Sequence, residues 1–444
     1  MCPSTTPDLA SITDLDLRRH QLDNGLRVNL QPDHTLPLVA VNLWYHVGSK
    51  NERPGRTGFA HLFEHMLFQG SEHVPDNQHF QHVQKVGGVV NGSTWFDRTN
   101  YYETLPAGAL DLALWLESDR MGFLLPGIDS EKLENQRSVV MNERRQRTDN
   151  RPYGRAFERL QELLWPPGHP YSWPVIGTME DIAAATLEDV QAFFSTYYLP
   201  NNAVLTLCGD FDPDRALEQV ERFFGPLASG PTPPPVVADT LPMESPRTIQ
   251  VEDDVQLSRV YLGFRAPAYG DRSWYAGDLL ATALGSGKSS PLYQRLVYER
   301  QLAQDVAAYI LPLEIATTFY VIATCRPGVD PKELEEELLA ELDRAAAGKL
   351  APEHLERARN RTLVSHYQGL QTIEDRADRL SEMTTYFDAP ERAMEEHRRY
   401  LELESQDLAG FARQFLQRHQ RVSVTYLPRS KSNAEAVADE GAAR

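Results

Sequence analysis

The sequence predicts an α+β protein made of two homologous domains, each a mainly antiparallel sheet packed with helices. Three observations lead there. The 444 residues exceed what one ordinary hydrophobic core organises. Proline and small residues crowd Gly225-Pro-Leu-Ala-Ser-Gly-Pro-Thr-Pro-Pro-Pro-Val236 and continue to Pro246, a composition that suits an extended linker and holds neither helix nor sheet. On either side of that break the order of predicted elements repeats. The chain is therefore read as a first domain over 1–225, a linker over 226–246, a second domain over 247–428 and a polar, small-residue, disordered tail over 429–444.

Alternating or β-branched runs place strands at 26–30, 38–45, 99–104 and 203–208 in the first half. The second half offers 259–264, 306–311, 318–324 and 421–426. A helical stretch starting at Leu133 and another at Leu187 precede the strand at 203–208; stretches starting at Leu355 and Asp407 precede the strand at 421–426 in the same order. Strands and helices mix without a regular βαβ rhythm, which favours antiparallel sheets. Gly58–Gly70 lines up with Tyr275–Gly287, so that Asp278, Ala281 and Thr282 stand where the first copy holds His61, Glu64 and His65. Duplication of one domain, with the chemistry confined to the first copy, accounts for this pattern.

That chemistry centres on His61-Leu-Phe-Glu-His65. At about 100° per helical residue, His65 lies about 40° from His61 and Glu64 about 60° to the other side. Phe59, Leu62, Phe63, Met66 and Leu67 fall on the opposite, core-facing sector, with Thr57 placed to cap the start and Gly70 to end the helix. Histidines at i and i+4 can share one metal ion, and a carboxylate beside them is placed to act as general base on water. The order is the reverse of H-E-x-x-H, the inverted zincin motif. A third ligand is needed. Spacing alone leaves Glu103, Glu117, Glu134 and Glu143 all open. His73, His79 and His82 are left out of the site, the last two as loop or surface-helix residues.

Composition narrows the alternatives. Only Cys2, Cys208 and Cys325 occur, against both a disulfide framework and thiolate zinc sites, so a metal must rely on His and carboxylate. A net charge of −19 disfavours nucleic acid and suits basic or neutral peptides, or simply solubility. No run approaches the ~20 apolar residues of a membrane span, and Met-Cys-Pro-Ser-Thr-Thr-Pro-Asp lacks a basic and an apolar signal region. As written the chain reads as cytoplasmic, or periplasmic if a signal peptide was removed.

His61-Leu-Phe-Glu-His65, followed roughly 75 to 80 residues on by Val139-Val-Met-Asn-Glu143, resembles the pitrilysin, insulysin and mitochondrial-processing-peptidase family, as does Asn91-Gly-Ser-Thr-Trp-Phe-Asp-Arg-Thr-Asn-Tyr-Tyr102 between them. The duplicated layout is similar to the family's short-chain bacterial branch. The resemblance implies two α+β domains facing each other like a clam shell, one Zn2+ per chain on His61, His65 and Glu143, and Glu64 as general base of a zinc metalloendopeptidase. It also implies that Asn91, Gly92, Ser93 and Thr94 lie on an edge strand that pairs with extended peptide substrates, a sequence-tolerant mode.

Two departures qualify it. Gln136 stands where family members often carry a second acidic residue that would orient the ligands. Ser289-Ser-Pro-Leu-Tyr-Gln-Arg-Leu-Val-Tyr-Glu-Arg-Gln-Leu-Ala-Gln304 has Val297 and Gln304 where complete members show an arginine and a tyrosine tied to substrate binding, with Arg295 two residues off. The expectation is a heterodimer, this chain supplying the zinc half and a homologous subunit the Arg/Tyr pair. A noncatalytic interaction subunit is the rival reading, opposed by the survival of all four chemical residues. A phosphate loop at Gly285-Ser-Gly-Lys-Ser-Ser290 fails because its required first glycine falls on Thr282.

Overall fold

The computed structural model describes residues 16–238, 240 and 242–429. Cys2, the N-terminal segment read for a signal and the tail from 430 on lie outside the described residues. Two compact units form, and neither is contiguous: one gathers the chain up to Asn142 with Val175–Val236 and Ser365–His397, the other Glu143–Pro174, Val237–Val364 and the chain from Arg398. Between Phe224 and Arg247 no helix or strand forms among the described residues.

The first unit is built on six strands, β1 (Arg18–Gln21), β2 (Arg27–Pro32), β3 (Leu38–Tyr45), β4 (Val89–Thr94), β5 (Thr99–Pro106) and β6 (Ala203–Gly209). Their order is β1-β2-β6-β3-β5-β4, with β2 and β6 parallel and every other pair antiparallel. Strand alternation sorts the residues of β3. Val39, Val41, Leu43 and Tyr45 join Leu205 and Leu207 in the core, while Asn42 and Trp44 face the other way. Helices α1 (Phe59–Met66), α2 (Gln78–Lys85), α3 (Leu110–Phe123) and α4 (Ser130–Arg144) belong to the same unit, the last except for Glu143 and Arg144. Phe59, Leu62, Phe63 and Met66 of α1 are buried in the core cluster, each burial worth roughly 1.5–3 kcal/mol.

The second unit repeats the plan. Its strands β7 (Arg247–Asp253), β8 (Arg259–Ala266), β9 (Ala303–Ile310), β10 (Thr317–Cys325) and β11 (Arg421–Pro428) run β7-β11-β8-β10-β9, again with a single parallel pair, β7 with β11. Without β1, the first sheet reads β2-β6-β3-β5-β4, the same order strand for strand. Helix α5 (Ala156–Leu164) belongs to this unit, and α6 (Arg272–Gly285) lies between β8 and β9 as α1 and α2 lie between β3 and β4. The helix ending at Gly285 also stands where a phosphate loop would need a strand.

Helix α7 (Ile373–Phe387) comes from late in the chain yet covers the polar face of the first sheet. Asp378 accepts from Asn42 Nδ2, Trp44 Nε1 and Asn100 Nδ2 at 3.2, 2.9 and 3.0 Å. Asn29 Nδ2 donates to Thr384 Oγ1 and Ser381 Oγ to Thr206 Oγ1, both at 2.8 Å. Such a buried face is stable because its polar groups are paired. Cys208 and Cys325 are both free and buried. No helix among the described residues is long and apolar enough to cross a membrane.

Candidate metal centre

Helix α1 is short, and its start is held from outside. Gly58 precedes it at φ 84° and makes no side-chain cap. The carboxylate of Glu52 reaches back instead, accepting from Gly58 N at 2.9 Å and Ala60 N at 2.8 Å, which satisfies amides that a helix end leaves open. Thr57 does not cap, contrary to expectation: its hydroxyl donates to Asp181 Oδ2 at 2.6 Å. The left-handed turn needs glycine, since a Cβ at Gly58 would stand 2.6 Å from the Ile176 carbonyl and would press on Gly177.

The turn sets the helix so that Phe59, Ala60, Leu62, Phe63 and Met66 are buried and His61, Glu64 and His65 half-buried. The two imidazole centroids are 4.9 Å apart, with ring planes at 73°. Glu143 sits in the last turn of α4, a helix that belongs to the first unit in all but its final residues Glu143 and Arg144. One donor atom from each of His61, His65 and Glu143 lies within 4.8 Å of the others. Two nitrogens and a carboxylate oxygen at such separations fit a zinc ion with a position left for water. Arg147 Nη1, one turn on, lies 2.6 Å from Glu143 Oε1. Gln136, two turns before Glu143 on the same helix, is buried.

Edge strand β4 brings the Asn91 segment beside this helix. Thr94 Oγ1 donates to Glu64 Oε2 at 2.6 Å. The pleat turns its neighbours elsewhere: Ser93 Oγ donates to Asn100 Oδ1 at 2.6 Å on the face covered by α7, and the exposed Asn91 folds its Oδ1 onto Gly92 N at 2.9 Å. Of the four residues expected to meet substrate, Thr94 is thus engaged with Glu64 itself.

The sequence profile described as "Insulinase (Peptidase family M16)" matches residues 27–170, and that described as "Peptidase M16 inactive domain" matches 184–362. A zinc protease, PqqE, of Helicobacter pylori is 30% identical over 411 residues, 92% of either chain. The chain belongs to peptidase family M16. A crystal structure of a protease from Helicobacter pylori superposes with a TM-score of 0.87 at 29% identity, covering 93% of this chain and 100% of that one. The periplasmic protease PqqL of Escherichia coli shares the fold, with a TM-score of 0.75 at 20% identity, over 96% of this chain and 50% of that one.

The M16 inactive-domain match falls mostly on the second copy. Asp278, at the position of His61, accepts from Tyr400 Oη at 2.8 Å, and Ala281, at the position of Glu64, is buried. Val297 is buried in the π-helical segment Gln294–Glu299, while Gln304 is exposed on β9. Arg295 is committed to its own unit, with Glu299 at 3.1 Å and Glu337 at 3.3 Å.

A second group of metal-competent residues lies in the first M16 unit. His79, Glu103 and Glu117 are all buried, with donor atoms within 4.8 Å of one another. His79 is therefore no surface residue: its Nε2 is 2.9 Å from Glu103 Oε1. No local pattern around His79 signals this, because its partners arrive from β5 and α3. Arg120 forks onto Glu117 through Nε at 2.8 Å and through Nη2, and it lies 4.0 Å from the Tyr101 ring centroid. That fixed cation balances the carboxylates and opposes a dication in the same space. Burial raises Glu103 and Glu117 to about 7 and lowers His79 to about 3. The trio reads as a proton-holding structural cluster.

Proposed function

We propose that this chain is a zinc metalloendopeptidase that hydrolyses peptide bonds in short or unfolded polypeptides, with one Zn2+ on His61, His65 and Glu143. The observation that carries the reading is the convergence of those donors beside Glu64, at the edge strand of an M16 sheet. Zinc, when bound, supplies a Lewis acid that polarises the scissile carbonyl and makes water more acidic. His61 and His65 bind as neutral imidazoles and Glu143 as a carboxylate. Glu64 takes the proton of the attacking water and returns it to the leaving amine, so the C–N bond breaks without net change at the carboxylate. Edge strand β4 offers its outer backbone groups to an extended peptide, which aligns the scissile bond through main-chain hydrogen bonds.

The same reading makes this chain the zinc half of a heterodimer. Its support is the second copy: a buried Val297, an exposed Gln304 and an ion-paired Arg295 supply no arginine or tyrosine to substrate. We infer that a homologous subunit without metal ligands supplies that pair. The Escherichia coli relative of the same fold is twice as long, which is compatible with two such chains acting together.

The test compares parent and Glu64→Gln. The variant keeps its zinc and loses turnover of an unstructured fluorogenic peptide by at least about 100-fold, as removal of a general base does. Equal turnover would reject the mechanism. Full activity of the purified chain, unchanged by any homologous subunit, would reject the heterodimer alone.

A further inference from the structure

The bond between Thr94 and Glu64 joins two parts of the machinery that peptide hydrolysis needs in register. Thr94 is the last residue of β4 and pairs with Thr99 of β5. Its alternation with Ser93 turns the hydroxyl toward α1, and the 2.6 Å distance to Glu64 Oε2 is that of a strong O–H to carboxylate bond. A carboxylate has two oxygens and about four acceptor sites, so a bond at Oε2 leaves capacity for the reacting water.

The hairpin that carries Thr94 is braced from several sides. Trp95 N donates to Arg98 O at 2.8 Å, and Arg98 Nη1 donates to Ser93 O at 2.8 Å and Ser93 Oγ at 2.6 Å. Ser49 N and Lys50 N donate to the carbonyls of Trp95 and Phe96 at 3.2 and 2.9 Å. A buried ion pair, Lys50 Nζ to Asp97 Oδ1 at 3.3 Å, ties the turn to the loop that precedes α1. Thr99 Oγ1 is itself anchored on Val47 O at 2.9 Å.

We propose that Thr94 is a positioning residue: it fixes the Glu64 carboxylate relative to the strand on which the peptide is aligned, so that substrate register and base position share one frame. This rests on the reading of Glu64 as the base. Without the bond the flexible Glu64 side chain spreads over several rotamers, few of them in line with a peptide seated on β4. Misplacement of a reacting group by about 1 Å costs on the order of 100-fold in rate. The peptide's own backbone contacts with β4 are untouched, so the loss falls on kcat rather than on KM.

Thr94→Val removes the donor while keeping the β-branched shape that suits a strand. With a fluorogenic peptide and the subunit composition that is active, Thr94→Val lowers kcat on the order of 10- to 100-fold with KM within about 2-fold, and Thr94→Ser restores most of it. Zinc content and thermal midpoint stay at the parent's values. A parental kcat in Thr94→Val, a loss expressed in KM, or a Thr94→Ser as impaired as Thr94→Val overturns the proposal. Crystal structures of parent and Thr94→Val test the same point without turnover: the Glu64 carboxylate leaves its place in the variant, and an unmoved carboxylate overturns the idea. Glu64→Gln in the same assay separates the two readings. If it is as active as the parent, the proposed function fails; if it is inactive while Thr94→Val is unimpaired, only the role of Thr94 fails.

Discussion

At the scale of single residues, the buried trio of His79, Glu103 and Glu117 has a pH signature of its own. One guanidinium, Arg120, faces two carboxylates, and the charged or titratable surroundings include His79 and His82 on α2, Asp119 on α3, His73 beside Asp119, Tyr101 on β5 and Tyr45 on β3. Burial raises Glu103 and Glu117 from 4.5 to about 7, so the folded protein holds protons that the unfolded chain releases near its ordinary carboxylate value. The two carboxyls make the folded state bind more protons in that window. His79, lowered to about 3, binds fewer than in the unfolded chain up to about 6.5 and offsets part of this, so the trio's net contribution to stability falls as pH rises from about 4.5 to about 7 and levels off above. Glu103→Gln keeps the hydrogen-bonding shape and removes one ionisation. Its thermal midpoint declines less between pH 5 and 7.5 and exceeds the parent's above pH 7; parallel curves for the two proteins would reject the assignment. Gln136 gives a second test at this scale. Gln136→Glu restores an acidic group two turns before Glu143 and tightens zinc about 10-fold in chelator competition, the size of an indirect ligand effect; an unchanged affinity would remove Gln136 from the metal site.

At the scale of elements, α1 depends on a carboxylate and a glycine turn. Glu52→Ala strips the acceptor from Gly58 N and Ala60 N and costs about 1 kcal/mol, the ordinary value of a helix cap. Gly58→Ala adds the roughly 1–2 kcal/mol of a left-handed non-glycine residue and a clash with the Ile176 carbonyl. Both lower the thermal midpoint and weaken zinc binding, and parental zinc affinity in both would show that α1 places its histidines without this brace. The elements differ in how plainly their sequence announces them. Strands such as β3 and β10 are legible because their apolar residues alternate or run β-branched. By contrast β1, Arg-Arg-His-Gln, and β7, with charged residues at both ends and a largely exposed pattern, carry no such signal. β1 is ordered by antiparallel pairing with the adjacent β2, and β7 by parallel pairing with β11, far along the chain. The i, i+4 spacing of His61 and His65 is local and could be read directly, whereas the capping by Glu52 arises only after Gly58 reverses the backbone. The burial of His79 likewise needs Glu103 from another element.

At the scale of the whole molecule, the two sheets share one strand order and one parallel pair in the same place, a topological duplication that supports the repeat seen in the sequence. What the sequence could not announce is the exchange of segments: 143–174 folds with the second unit and 365–397 with the first. The polar contacts of α7 on the first sheet have no periodicity of their own, since Asp378 finds its donors on β3 and β5. Duplication also explains the division of labour, because the second copy has Asp278 bound to Tyr400 where the first has a candidate metal ligand. A heterodimer follows if the missing arginine and tyrosine come from a homologous chain. Mixing the purified chain with such a subunit then raises peptide turnover well above the sum of the two alone; additive rates would return the chain to independent action.

Anomalous X-ray scattering at the zinc edge, from crystals grown with Zn2+, tests the metal centre most directly. One strong peak bounded by His61, His65 and Glu143 is expected, and none beside Arg120. A peak among His79, Glu103 and Glu117, or no peak on the α1 histidines, would contradict the zinc assignment.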